Sequence, residues 1–467
     1  MKTYFKDGKG IKYLIAICSI AFTIILSSCN KYLDKKFNSS LVTPSTLSDL
    51  QALLDDAGNM NQQRTACFGE VSCDEYFLRP ADYDGLDNGN QKRYTWRYYF
   101  FGTGNDWSAC YLPIYNTNLV LDLIKNIPPN SANPEAWNNV KGSALFYRSY
   151  YFLQLLWDYA KTYDSTTADK DLGIALRLTS DFNTPSVRAS NQQSYQRVIE
   201  DTKASIPLLP TTPRQVMRPS KAAAYGLLAR CYLSMRDYRN ALLYADSCLQ
   251  IKNSLMDYNG DAEIPTGITA NVPFTQFNKE TIFYTEMNSY FYIYLTSITS
   301  CMDTSLLKLY DQNDLRLPAY YSVNTDGYRS FKGSYTANNY IMFSGIATDE
   351  MYLTRAECYI RENQLQKGLD DLNTLLAKRY STGTFSPLFI SSQQAALDTV
   401  LLERRKELVM RGMRWMDLKR LNKEGANIML KRVENDGTYT LQPNANYYAL
   451  PLPEDIVRLT GMPQNPL

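Results

Sequence analysis

Apolar residues in this chain recur three and four positions apart in four long regions, separated by stretches with no such period. This spacing predicts amphipathic helices. The first region runs over 107–127 and 135–163, and the second over 194–209 and 220–251. The third covers 349–380 and the fourth 395–421. A shorter helix is expected over 46–57, with Leu47, Leu50, Leu53 and Leu54 on one face and Ser45 or Thr46 as its cap. Residues 58–106 and 252–345 break the pattern with Tyr, Asn, Gly, Ser and Thr, and read as loop insertions. The proline-rich stretch 444–467 reads as extended coil.

Two of the helical regions repeat one another. Ala229 and Tyr232 are followed by Ala241, Ala245 and Cys248; Ala356 and Tyr359 are followed by Gly368, Leu372 and Leu375. Each unit has a small residue, a tyrosine three positions later, and a second small residue twelve after the first. That is the tetratricopeptide rhythm, in which small residues let two antiparallel helices approach and the aromatic fills the groove beside them. The expected fold is mostly α: a tetratricopeptide-like scaffold of about four helix pairs, within a single domain over 41–467. In the last helix Leu401, Leu408 and Trp415 share a face with Leu402, Val409 and Met416. Glu403 with Lys406, and Glu407 with Arg411, stand at helical pairing distances and read as a solvated, salt-bridged flank.

The N-terminal pattern is different. Lys2, Lys6, Lys9 and Lys12 precede an apolar run from Tyr13 to Leu26, and small residues lead into Cys29. This is the form of a secretory signal ending in a lipobox. It predicts removal of residues 1–28, lipidation of Cys29 and a tether over 29–40. The run is too short to span a bilayer as a helix. The formal charge is +2; removing residues 1–28 takes away four lysines and one aspartate, a loss of three positive charges that leaves −1. Nothing in that balance favours nucleic acid.

Composition narrows the chemistry. The chain contains no histidine, which excludes Ser-His-Asp and Cys-His catalysis and the commonest zinc and copper sites. Beyond Cys18 and Cys29, the cysteines are odd in number and lack metal-ligand spacing. Cys231, Cys248 and Cys358 read as small core residues, whereas Cys67 and Cys73 are close enough in sequence to pair. The 37 tyrosines cluster partly in polar loops, as a contact surface would require.

Four features together resemble the SusD/RagB-like outer-membrane lipoproteins. They are Cys29 followed by Tyr32-Leu33-Asp34; Trp107-x3-Tyr111-x2-Ile114-x3-Asn118; the repeat containing Ala356-Glu357; and Glu403-Arg404-Arg405-x-Glu407-Leu408 with Gly412-x-Arg414-x2-Asp417-Leu418. Arg411 stands where an acidic residue is usual, and Lys31, Lys35 and Lys36 replace the acidic export signals of some relatives. The resemblance implies four tetratricopeptide-like units, with a ligand face built from the insertions. It also implies a role as lid on a SusC-like TonB-dependent porin, to which oligosaccharides, or in some branches peptides, are handed uncleaved. The residues alone also leave open a periplasm-facing tetratricopeptide scaffold and an exported carboxylate-dependent glycoside hydrolase.

A sugar site needs an aromatic platform with hydrogen-bonding side chains at its edge. Two insertions supply both. Residues 74–101 hold Asp74, Glu75, Arg79, Tyr83, Trp96, Arg97, Tyr98 and Tyr99; residues 288–340 hold Asn288, Tyr290, Tyr292, Arg316, Tyr320, Tyr321, Tyr328, Tyr335 and Tyr340. From these the expected ligand contacts are Arg79, Tyr83, Trp96, Arg97, Tyr98, Asn288, Tyr290, Tyr292 and Tyr328. Trp96 leads because its segment resembles a family ligand loop. Trp107, at helical spacing with Tyr111 and Ile114, reads as core. Asp82, Asp84 and Asp87 are dense in oxygen ligands suited to calcium but do not follow the EF-hand pattern.

Overall fold

Thr46 caps the first helix as expected. Its hydroxyl accepts from the Asp49 N–H while the Asp49 carboxylate accepts from the Thr46 N–H, a closed capping box that starts α1 (Leu47–Asp55). The computed structural model describes residues 44–99, 105–129, 132–290 and 300–466. Thr46–Leu467 forms one unit; of Met1–Ser45 only Pro44 and Ser45 are described. Cys29 and the tether lie outside the described residues, as does Tyr292. No described helix is long and apolar enough to cross a membrane.

The first insertion folds into short elements rather than irregular loop: α2 (Ala57–Met60), α3 (Phe68–Ser72), β1 (Tyr76–Leu78), α4 (Pro80–Asp84) and α5 (Asn88–Tyr94). The scaffold follows with α6 (Asp106–Leu123), α7 (Pro134–Tyr159), β2 (Leu172–Ala175), β3 (Arg188–Ser190), α8 (Asn191–Ser205), α9 (Lys221–Met235) and α10 (Tyr238–Ile251). The second insertion carries β4 (Thr281–Phe283), β5 (Ser300–Met302), α11 (Thr304–Leu307), α12 (Arg316–Tyr320), β6 (Tyr321–Val323) and β7 (Arg329–Phe331). Then come β8 (Ile346–Ala347), α13 (Thr348–Arg361), α14 (Leu365–Leu376), α15 (Gln393–Glu407), α16 (Arg414–Lys423), β9 (Leu430–Glu434), β10 (Gly437–Leu441) and α17 (Glu454–Thr460). The C-terminal stretch is therefore not all extended coil, since Pro453 starts α17 with its fixed backbone angle.

Helices stack in chain order. α6 packs on α7, α7 on α8, α9 on α10, α10 on α13, and α13 on both α14 and α15. This is a mostly helical, tetratricopeptide-like array. The small residues do what their spacing predicts. Ala229, Ala241, Ala356 and Cys358 are fully buried, and a Cβ added at Gly368 would stand 2.8 Å from the Ala356 carbonyl and 2.6 Å from the Ile360 side chain. Strands form five two-stranded antiparallel units among the described residues. β1 pairs with β5, joining the two insertions, while β4 pairs with β8 and ties the second insertion to the start of α13.

The fourth helical region departs from expectation. It is broken between α15 and α16, where Met410 and Gly412 take left-handed backbone angles and the Met410 N–H donates to a Glu75 carboxyl oxygen at 2.6 Å. Glu407 and Arg411 therefore do not share one helix. The flank is not solvated either: Glu403, Arg404, Lys406 and Glu407 are all buried. The second insertion covers them and brings their partners. Arg316 meets Asp314, Glu403 and Glu407 at 2.7, 2.5 and 2.9 Å, and Arg379 bridges Glu407 and Glu280 at 2.7 and 2.8 Å. Lys406 reaches Asp314 and Glu403, both at 2.9 Å. Such charges can be buried because each faces its opposite. Arg411 pairs instead with Asp349 at 3.1 Å. Cys67 and Cys73 are free and buried; their thiols turn to Asn288 and Glu70 respectively.

Candidate functional site

Three segments far apart in sequence lie side by side and build one groove. The Glu286 N–H donates to the Asn61 carbonyl, and its own carbonyl accepts from the Arg64 and Thr65 N–H groups. The Asn288 N–H returns to the Thr65 carbonyl, and the Met287 N–H donates to the Met342 carbonyl. Backbone pairing thus fixes 61–65, 284–288 and 342–344 in register. The segments flank a cavity of roughly 580 Å³ lined by Gln62, Gln63, Arg64, Ser108, Asn288 and Tyr290 among others. It adjoins a second of roughly 350 Å³, which shares Gln63, Asn288 and Ser289 and adds Asn338 and Tyr340. Gln63 sits at φ 54°, a left-handed turn that leaves both Gln62 and Gln63 exposed.

Asn288 is the anchor of this wall. Its side-chain N–H donates to Asp106, while its oxygen accepts from the Tyr290 N–H at 2.9 Å and from the Cys67 thiol at 3.2 Å. Asp106 also accepts from the Phe68 N–H at 2.6 Å. Burial raises the Asp106 carboxyl above its ordinary value. Burial, then the neighbouring Asp106, raises Asp158 well above its own. The sequence-predicted Asn288 is therefore mostly a positioning group, and half-buried Tyr290 is the aromatic it places.

The other predicted residues divide among three places. Arg79 and Tyr328 come together in a second surface patch. Tyr328 is 41% exposed and meets Phe77 edge-on at 5.3 Å, while Arg79 pairs with Asp82 and Asp326 at 3.3 and 2.5 Å. Tyr83 is buried and Arg97 half-buried against the β9–β10 hairpin. There Arg97 donates to the Tyr83 hydroxyl at 2.8 Å and lies 4.5 Å over the Tyr439 ring, and Tyr98 beside it is half-buried. Trp96 does not stand on a loop surface. It is only 8% exposed, its indole N–H donates to the Ser72 carbonyl at 2.9 Å, and Arg432 lies 5.3 Å over its ring. Packing of the first insertion onto β9 draws it inward. Asp74, Glu75, Tyr99, Arg316, Tyr320, Tyr321 and Tyr335 are interior as well or hold buried ion pairs. Trp107 is buried, as its spacing required.

The acidic run 82–90 is spent on helix ends and surface pairs. Asp87 caps α5, Asp84 accepts from Asn435, and Asp82 faces Arg79. The three do not converge as a cation site. Glu70, Cys73 and Glu75 do converge among the described residues. Burial raises the carboxyls of Glu70 and Glu75, Glu75 well above its ordinary value with Glu70 adding repulsion. Among the described residues, no carboxylate lines either cavity of the groove.

Gln62, Gln63, Arg64 and Ser108 were not foreseen as site residues. The Asn61-Gln62-Gln63-Arg64 run is a polar turn like many others, and only its pairing with 284–288 brings it to the groove.

Fold and groove together define a helical-repeat protein that presents a polar, aromatic-flanked cleft made by its insertions. Two family profiles match it: one described as starch-binding associating with outer membrane over residues 31–233, and the SusD family over residues 272–467. The chain belongs to the SusD/RagB-like family. Its fold is similar to that of a SusD superfamily protein from Bacteroides thetaiotaomicron VPI-5482, at 20% identity, TM-score 0.72, covering 90% of this chain and 100% of that one. A SusD superfamily protein from Bacteroides vulgatus ATCC 8482 matches at 20% identity, TM-score 0.70, covering 90% and 99%. A SusD-like carbohydrate binding protein from the same strain matches at 20% identity, TM-score 0.66, covering 89% and 96%. No curated protein matches the chain in sequence.

Proposed function

We propose that this protein is a lipid-anchored, surface-exposed outer-membrane protein that binds oligosaccharides without cleaving them and delivers them to a SusC-like TonB-dependent transporter. The observation that carries the reading is the groove. Amide, hydroxyl and guanidinium donors line the two adjoining cavities, with Tyr290 in one and Tyr340, 42% exposed, in the other. Ring C–H faces can stack on the tyrosines while hydroxyls meet Gln62, Gln63 and Ser289. Family membership and the outer-membrane description of its profile support the location, and the lipobox ending at Cys29 supports the anchor. The Arg79–Tyr328 patch is proposed as a secondary contact.

Isothermal titration of the detergent-solubilised full chain against a panel of neutral and acidic oligosaccharides tests the binding. At least one glycan is expected to bind, and Tyr290→Ala to weaken it several-fold. Absence of binding across the panel, or products released from a bound glycan, would overturn the reading. Co-purification of a large porin from solubilised membranes, and loss of the protein on protease shaving of intact cells, test partner and orientation. Survival of shaving would favour a periplasm-facing scaffold.

A further inference from the structure

The groove has a charge character that the glycan reading by itself does not specify. Among the described residues that line it, the one cationic side chain is Arg64, half-buried in the wall of the larger cavity. Arg64 is held by neutral acceptors only: Nε donates to the Gly58 carbonyl at 2.8 Å and Nη2 to the Asn59 side-chain oxygen at 3.3 Å. Among the described residues it forms no ion pair, and Nη1 has no protein acceptor. Asp56, on the adjoining turn, caps α2 instead, accepting from the Asn59 N–H and side-chain amide at 3.3 and 2.6 Å.

The contrast with Arg79 is direct. At the secondary patch the guanidinium is already neutralised by Asp82 and Asp326. At the groove a fixed guanidinium faces open volume lined by no carboxylate among the described residues, beside amide donors that also favour an anion. An arginine oriented by two neutral hydrogen bonds keeps its charge and its planar geometry for a carboxylate or sulfate. Resting on the oligosaccharide reading, we infer that the ligand is an acidic oligosaccharide, one carrying uronate carboxylates or sulfate esters, and that Arg64 is the residue that selects it.

The experiment compares matched neutral and acidic hexasaccharides on the full chain: maltohexaose and xylohexaose against oligogalacturonate and chondroitin sulfate. An acidic member is expected to bind about tenfold or more tighter than either neutral one, and to weaken as salt rises from about 50 mM to about 500 mM. Arg64→Gln is expected to abolish the preference, and Arg64→Lys to retain part of it, both at wild-type melting temperature. Tighter binding of a neutral glycan, or acidic binding indifferent to Arg64→Gln, overturns the inference and leaves the oligosaccharide reading intact. Binding of no member overturns both.

Discussion

Arg420 donates from both terminal nitrogens to the two carboxylate oxygens of Glu357, at 2.5 and 2.8 Å, with both side chains fully buried. The pair joins α16 to α13 and so links two of the sequence features that carried the family resemblance, the repeat containing Glu357 and the C-terminal motif. Arg420 also holds Asp417, which holds Arg404, so the motif is a lattice rather than a surface flank. Burial raises the Glu357 carboxyl, but Arg420, then Arg361 and Arg404, outweigh it and leave it below its ordinary value. Its contribution is therefore present above the ordinary carboxylate range and lost as pH falls through the depressed value.

Removing one partner leaves the other charged and buried. Glu357→Gln is expected to cost about 3–5 kcal/mol, and the double variant with Arg420→Met less than the two single costs together. Urea unfolding of the four proteins checks this. Strict additivity would show that the pair does not couple.

Crowding at Gly368 makes an opposite-signed test of the repeat. A helical glycine replaced by alanine ordinarily gains up to about 1 kcal/mol. Here the new methyl would press on the Ala356 carbonyl and Ile360, so Gly368→Ala is expected to destabilise by about 1–3 kcal/mol. A raised melting temperature would mean that α13 and α14 are not in close approach at this point.

Lys419 is buried and donates to the Trp157 and Ala160 carbonyls, both at 2.6 Å. Burial, against the pull of Asp158, holds its ammonium down to about 7 from an ordinary 10.5. Between those values the unfolded chain keeps the proton and the folded chain does not, so folding gains stability as pH rises. The wild type is expected to gain on Lys419→Met by up to about 1.4 kcal/mol per pH unit above 7. A pH-independent difference in unfolding midpoint would contradict the assignment.

Trp96 and Tyr290 should separate stability from binding. Trp96→Ala is expected to cost about 3–5 kcal/mol of stability while leaving the glycan affinity of the folded protein unchanged. Tyr290→Ala is expected to lower affinity at unchanged melting temperature. Calorimetric unfolding beside titration reads both; loss of affinity without loss of stability at Trp96 would return that ring to the site.

Periodicity made the scaffold legible because each helix declares its buried face within a few turns. Gly368 and Ala241 were readable as close contacts for the same reason. The insertions were not, because their burial depends on partners hundreds of positions away. Trp96 looks like an exposed platform until β9 supplies Arg432, and Glu403 looks solvated until Asp314 and Arg316 arrive. In the site, Tyr290 and Asn288 were visible as residue types, whereas Arg64 became visible only through backbone pairing with Glu286.

The groove is joined by main-chain hydrogen bonds among 61–65, 284–288 and 342–344, bonds that are indifferent to side-chain identity. Exposed positions such as Gln62, Gln63 and Ser289 hold up nothing beneath them. A lineage could therefore exchange one sugar preference for another by single substitutions in this cleft, without disturbing the helical array that carries it.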